Sequence, residues 1–258
     1  MAGTNSELTK FVSNGTIRRL VKDITSLHKF PLTDQGIFYE HDTNNMLIGR
    51  AMIIGPEDTP YAHGFYFFEF EFPTDYPVRP PVLQYLTNDG LTRFHPNLYR
   101  RGKVCLSLLN TWKGEGWTSC QTIRSVLLTL VSILDDKPLL HEPHISETHV
   151  DFKNYTEIIR FKNFQFAHGK MLSNKCIPKG FDLFYPTIIQ HCSNNTKKIL
   201  KLLEYQTAQQ CDKPVILKTR LYGLHVVLDY AKLNSKLREL HKNLYDKVEM
   251  DSTECDQT

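Results

Sequence analysis

The sequence predicts an α+β fold. Three observations carry that reading. An amphipathic helical pattern stands near the start, four strand-like runs follow one another between residues 35 and 86, and the texture from residue 121 onward is helical. Strands gathered in one part of a chain and helices in another argue α+β architecture.

Each element can be justified in order. "NGTIRRLVKDITSLHKF" puts Ile17, Leu20, Val21, Ile24 and Leu27 on one face at helical spacing, with Asn14 as the expected N-cap. Arg18, Arg19 and Lys22 lie off that stripe, as a solvated face or a basic docking surface. "GIFYEH" and "NMLIGRAMIIG" are strand-like and separated by the polar turn "DTNN", and "GPEDTPYAHG" is a loop of turn residues. "FYFFEFEF" alternates partly at its end, as a half-buried strand should. In "FPTDYPVRPPVLQYL" the residues Pro73, Pro77, Pro80 and Pro81 remove amide donors, so most of it joins strands while "PPVLQYL" forms the fourth. "QTIRSVLLTLVSIL" predicts a buried helix through Ile123, Val126, Leu127, Leu130, Val131 and Leu134, and "NYTEIIRFKNFQFAHGKML" predicts another. Beyond residue 176 the pattern is helical to the end, punctuated by Pro178, Pro186 and Pro214.

Composition narrows the function. The 258 residues allow one large domain, or a domain of about 150 residues with an extension, and 41% hydrophobic residues can fill a core. A net charge of +3 gives no reason to invoke nucleic acid or a membrane surface. "MAGTNSELTK" lacks the pattern of a secretory signal, and no apolar run reaches the roughly 18 to 20 residues of a membrane span. The expectation is a soluble intracellular protein of the cytoplasm, with the nucleus as a further compartment. The six cysteines form no CxxC pair, so free thiols and no metal are expected, and "HEPH" at 141–144 is not the zinc motif HExxH.

The chemistry centres on "FHPNLYRRGKVCLSLL". Cys105 follows a glycine turn flanked by Arg100, Arg101 and Lys103, and Asn97 offers an amide donor eight residues earlier. A donor aimed at a developing oxyanion suits acyl transfer at a thiol. The residues alone leave three readings: a thiol hydrolase with His95 or His141 as base, an acyl carrier holding a thioester on Cys105, and a binding module without catalysis. A hydrolase wants an imidazole–thiolate pair, whereas an acyl carrier needs no base for the thiol.

"GPEDTPYAHGFYFFEFEFPTDYPVRPP", then "FHPNLYRRGKVCLSLL", then "WTSCQTIRSVLLTLVSIL" resemble, in order, the signature segments of the ubiquitin-conjugating enzymes, the E2 family. The likeness covers about residues 14 to 175. The long "NLYRRGKVCLSLLNTWKGEGW" loop and the helix from 154 are most similar to the large, Use1-like subgroup. The resemblance implies the E2 (UBC) fold: an N-terminal helix, a four-stranded antiparallel meander and C-terminal helices, here with a helical C-terminal extension. It implies a flexible N-terminus at 1–13, a UBC core at 14–175, the extension at 176–248 and a flexible acidic tail at 249–258.

It also implies roles. Cys105 accepts ubiquitin or a ubiquitin-like modifier from an E1 activating enzyme as a thioester. A lysine of a protein substrate, or the cysteine of a HECT-type E3 ligase, then takes it, with RING-type E3s as the other class of partner. ATP and magnesium belong to the E1, and this chain needs no cofactor. Asn97 bonds the oxyanion or fixes the active-site loop. His95 is structural and Trp117 packs beside the site. Arg18, Arg19 and Lys22 fall where the family meets its E1, and Leu128 falls where some members hold bound ubiquitin in a closed pose. The sequence departs from the common pattern at Ser107, where many members have Asp, so the acid shaping the lysine site is expected from Asp135, Asp136 or Glu142. Pro77, Val78, Ser119 and Cys120 lie on the E3-facing surface, with Val78, Ser119 and Cys120 departing from the usual residues. The cysteines other than Cys105 are read as inert. A hydrolase and a non-catalytic ubiquitin-binding variant stand as the alternatives.

Overall fold

The computed structural model describes residues 12–210 and 213–255, with side chains as far as Leu244. Residues 1–11 of the expected N-terminus, Cys211, residues 256–258 and the side chains of the tail lie outside the described residues. The backbone of the last helix continues to Cys255.

The core follows the expected order. Helix α1 spans Asn14–Lys29. Strands β1 (Ile37–His41), β2 (Ile48–Ile54), β3 (Phe65–Glu71) and β4 (Val82–Tyr85) form one antiparallel sheet in sequence order. Helix α2 spans Ile123–Ser132, capped by Thr122, whose hydroxyl accepts from Ser125 N while the Ser125 hydroxyl accepts from Thr122 N. Helix α3 (Phe152–Lys162) continues through a π-helical stretch, Asn163–His168, into α4 (Gly169–Leu172). The π-helical stretch is fixed by buried Asn163, which accepts from Tyr66 Oη at 2.6 Å and donates to Ala62 O at 2.8 Å. Gly64 permits that approach, since a Cβ there would sit 1.9 Å from Asn163 Oδ1.

Three sequence expectations are corrected. The N-cap of α1 is Ser13, whose hydroxyl accepts from Thr16 N at 3.0 Å, and Asn14 is the first helical residue. The inward stripe of α1 is Thr16, Leu20, Asp23 and Leu27, while Val21 is 55% exposed. A buried aspartate, invisible to hydrophobic periodicity, takes the place on that face: Asp23 accepts from Arg19 Nε at 2.9 Å and Tyr76 Oη at 2.6 Å.

The third correction concerns the chain beyond residue 176. Helix α5 (Tyr185–Gln209) is as expected, but a hairpin, β5 (Val215–Lys218) with β6 (His225–Leu228), precedes α6 (Tyr230–Cys255). "VILK" and "HVVL" are rich in β-branched residues, and Tyr222 and Gly223 between them both adopt positive φ. Those turn signals outweigh the helical reading.

The extension buries the outer face of the sheet. Ala51, Ile53, Tyr66, Phe68 and Phe70 face the main core with α2, while Met52, Phe65 and Phe67 pack with Phe181, Phe184, Ile188 and Cys192. Strand β3 is therefore covered on both faces from Phe65 to Phe68 and is half-buried only near its end. This accounts for its near-continuous apolar start. Among the described residues no helix is long and apolar enough to cross a membrane.

Candidate active site

Cys105 is positioned by a glycine turn. Gly102, at φ 88°, donates to Tyr99 O at 2.9 Å and accepts from Tyr85 N at 2.7 Å, which ties the turn to the end of β4. A Cβ at Gly102 would lie 3.0 Å from both Gln84 Cγ and Tyr85 O, so the turn requires glycine for conformation and for space. The chain leaving the turn pairs back on the segment before it. Cys105 N donates to Asn97 O at 2.9 Å, and Asn97 Nδ2 donates to Cys105 O at 2.6 Å. This reciprocal pair fixes the thiol-bearing residue to the HPN segment. The basic turn is exposed at Arg101 and Lys103, yet Cys105 itself is only 2% exposed.

The histidine of the motif is enclosed within the loop. His95 is fully buried, and its Nδ1 accepts from Asn97 N at 3.0 Å. Burial above all, then the neighbouring His141 and the Arg93 guanidinium, holds it well below the usual histidine range. His141 packs its ring 4.7 Å from His95 and donates to Asp135 Oδ2 at 2.7 Å. Among the described residues no histidine nitrogen hydrogen-bonds Cys105 Sγ, so the imidazole–thiol pair of a hydrolase is not formed.

The candidate carboxylates differ in their freedom. Asp135 accepts from His141 and from Lys137 N at 3.0 Å, and Glu142 accepts from Tyr222 Oη. Asp136 is exposed. Ser107 begins a short 3-10 turn, and the loop beyond it folds back so that a Cβ on Gly114 would lie 3.0 Å from Ser107 Cβ. Trp117 closes that loop by donating from Nε1 to Pro77 O at 2.7 Å, with its ring 5.9 Å from Tyr76.

The proposed docking residues separate into free and engaged groups. Arg18 and Lys22 are exposed. Arg19 is engaged with Asp23 and with the carbonyls of Ser119 and Gln121, so it joins α1 to the loop before α2. Val78 is 71% exposed, Ser119 and Cys120 are exposed, and Pro77 is half-buried beside Trp117. Leu128, on α2, is 36% exposed and is therefore a surface leucine.

Sequence reasoning missed two residues that organise the site. Arg93 donates to the carbonyls of His95 and Pro96, and its guanidinium lies 3.4 Å from the centre of the Tyr99 ring. It braces the segment that carries Asn97. Tyr222, from the hairpin of the extension, packs 5.1 Å from the same guanidinium, donates to Glu142 and accepts from Arg100 through its carbonyl. Arg93 was readable only as the arginine before "FHPN", and Tyr222 carried no sequence signal at such a distance along the chain.

A four-stranded antiparallel meander with α2 behind it, and a buried cysteine locked to an HPN loop, define a ubiquitin-conjugating enzyme core. The family model for ubiquitin-conjugating enzyme matches residues 19–162, more than half of the chain, and the chain belongs to that family. It is 42% identical over 167 residues to ubiquitin-conjugating enzyme E2 Z of Xenopus tropicalis, covering 64% of this chain and 53% of that protein. It is 44% identical over 161 residues to ubiquitin-conjugating enzyme E2 Z of Homo sapiens, covering 61% of this chain and 45% of that one. A solved structure of human ubiquitin-conjugating enzyme E2 G1 matches at 31% identity and TM-score 0.41, over 47% of this chain and 94% of that chain. The chain spans about half the length of the curated relatives it matches first.

Proposed function

We propose that this chain accepts ubiquitin or a ubiquitin-like modifier from an E1 as a thioester on Cys105 and passes it to a substrate lysine or an E3 cysteine. The observation that carries the reading is the reciprocal Asn97–Cys105 backbone and side-chain pair within a UBC family core. Loading exchanges one thioester for another: the Cys105 thiolate attacks the E1-linked carbonyl, the E1 thiolate leaves, and no new oxidant or metal is needed. ATP and magnesium are consumed by the E1 alone. In transfer, a lysine amine attacks the same carbonyl, Cys105 leaves as thiolate, and the amine's proton passes to a nearby acceptor. Asn97 holds the loop and, when its amide turns toward the carbonyl, bonds the oxyanion. Asp136 is the candidate acid best exposed to receive or orient the lysine. Arg18 and Lys22 meet the E1, Val78 and Cys120 lie on the E3 side, and Leu128 supports bound ubiquitin. The work is done in the cytoplasm or nucleus.

The test is loading with E1, ATP, magnesium and ubiquitin, run on paired reducing and non-reducing gels. The parent chain should give a ubiquitin adduct that thiol reductant removes. Cys105→Ala should abolish it, and Cys105→Ser should trap an oxyester that resists reductant and yields to hydroxide. An undiminished reducible adduct on Cys105→Ala overturns the assignment.

A further inference from the structure

A second cluster of reactive side chains lies beyond the residues matched by the family model, under the outer face of the sheet. His168 is in the π-helical stretch, Cys192 in α5 and His241 in α6, and all three are buried. One ligating atom from each lies within 4.8 Å of the others. The two imidazole planes are nearly parallel, 13° apart, and the rings meet edge to edge, with centres 5.3 Å apart and His168 Nε2 3.0 Å from His241 Nε2.

The hydrogen bonds on the far sides of the rings determine what those two nitrogens present. His168 Nδ1 lies 2.8 Å from His63 O, and a carbonyl only accepts, so Nδ1 carries the proton and Nε2 is a bare lone pair. Thr196 has a single hydroxyl proton, and its 2.7 Å bond to Cys192 O takes it. The Thr196 oxygen is then an acceptor for His241 Nδ1 at 3.2 Å, which places the second imidazole in the same tautomer. Two lone pairs thus face each other at 3.0 Å beside a buried thiol. Something positive belongs between them. A proton would serve only the two nitrogens, whereas a metal ion engages both nitrogens and the Cys192 sulfur together.

We propose that His168, Cys192 and His241 bind a structural zinc ion that staples α5 and α6 to the core. The backbone carbonyl on His168 Nδ1 and the hydroxyl on His241 Nδ1 are the partners that orient ligating histidines. Tetrahedral zinc at 2.0–2.3 Å from its ligands asks for edges of about 3.4 Å between nitrogens and about 3.6 Å from nitrogen to sulfur. The nitrogen edge is 3.0 Å, and the longest edge, at most 4.8 Å, closes with a small shift of the cysteine side chain. Zinc binds Cys192 as the thiolate, with the thiol proton released to solvent. A water completes the fourth position. The three ligands are separated by 24 and 49 positions in sequence, far from the close-set pairs of common zinc motifs, which is why no metal was expected from the cysteine spacing. The inference is independent of the ubiquitin reaction.

The experiment uses the full chain, stripped with a chelator and titrated with zinc alone or cobalt(II) alone. One zinc per chain should bind, and cobalt should give tetrahedral visible bands together with a thiolate-to-cobalt charge-transfer band. Free zinc at about 100 times its dissociation constant should lower the unfolding equilibrium constant about 100-fold. That stabilisation should be lost in Cys192→Ser and His241→Gln and kept in Cys120→Ser. Substoichiometric zinc, a cobalt spectrum without the charge-transfer band, or stabilisation that survives Cys192→Ser overturns the site. If the variants fail to fold, zinc stoichiometry and the cobalt spectrum of the parent decide.

Discussion

Removing the extension after Lys175 tests how far the core stands alone. The perturbation uncovers the outer face of the sheet, where Met52, Phe65 and Phe67 are each fully buried against Phe181, Phe184 and Ile188. Burying a side chain of this size stabilises by about 1.5–3 kcal/mol, so exposing three costs about 5–9 kcal/mol. A compact unfolded state makes that an upper figure. Domains of ordinary stability have only about 5–15 kcal/mol in total. The truncated chain should therefore be largely unfolded at 37 °C, and its thioester loading should fall with its folded fraction. A milder variant of the full chain, Phe184→Ala, should cost about 3–5 kcal/mol and lower Tm by roughly 6–20 °C. The assay is thermal and urea unfolding followed by tryptophan fluorescence, with single-turnover loading measured on the same samples. A truncated chain that unfolds cooperatively within a few degrees of the parent would refute the packing argument. If it also loads poorly, the extension acts as a recognition element.

Three further outcomes follow from the site. Asn97→Ala removes both the donor to Cys105 O and any oxyanion donor, so discharge onto free lysine should slow by about 10²–10³-fold; equal loss of loading in a single-turnover assay would assign the residue to loop structure alone. Brief alkylation should modify exposed Cys120 before Cys105, which is 2% exposed, and peptide mass spectrometry reads the order. His95 is held neutral by burial, so the unfolded chain binds a proton below about pH 6.5 that the folded chain refuses. Its contribution is present above pH 6.5 and is lost as pH falls, by up to about 1.4 kcal/mol per pH unit, and His95→Gln should flatten the fall of the urea midpoint between pH 7 and 5.

The sheet and its order were legible because period-two runs and turn residues are local signals, and strands joined in sequence make a meander without long-range information. The thiol, the asparagine and the histidine were legible because one short segment carries them all. What escaped was contact between segments far apart in the chain. Asp23 reads as a solvent residue until Tyr76 and Arg19 are brought to it. Val21 reads as core until Thr16 and Asp23 define the inward face. The hairpin at 215–228 escaped because its strands are four residues each, too short for periodicity to separate from helix. Arg19 sits in a run of basic residues, and only the fold shows that it spends its charge on Asp23 and two carbonyls.

The extension does more than cover apolar surface, because it reaches the active-site scaffold through one turn. Tyr222 stands at positive φ between β5 and β6, and that turn carries its ring to Arg93 and its hydroxyl to Glu142. Arg93 in turn holds the carbonyls of His95 and Pro96, next to the asparagine that pairs with Cys105. A chain of direct contacts therefore runs from the extension to the thiol-bearing loop. On the opposite side, Met52, Phe65 and Phe67 are no longer a surface that a partner can use. Arg18 and Lys22 on α1, Val78 and Cys120, and Leu128 on α2 remain exposed. The same segment thus closes one face of the sheet and, through Tyr222 and Arg93, braces the loop that carries Asn97.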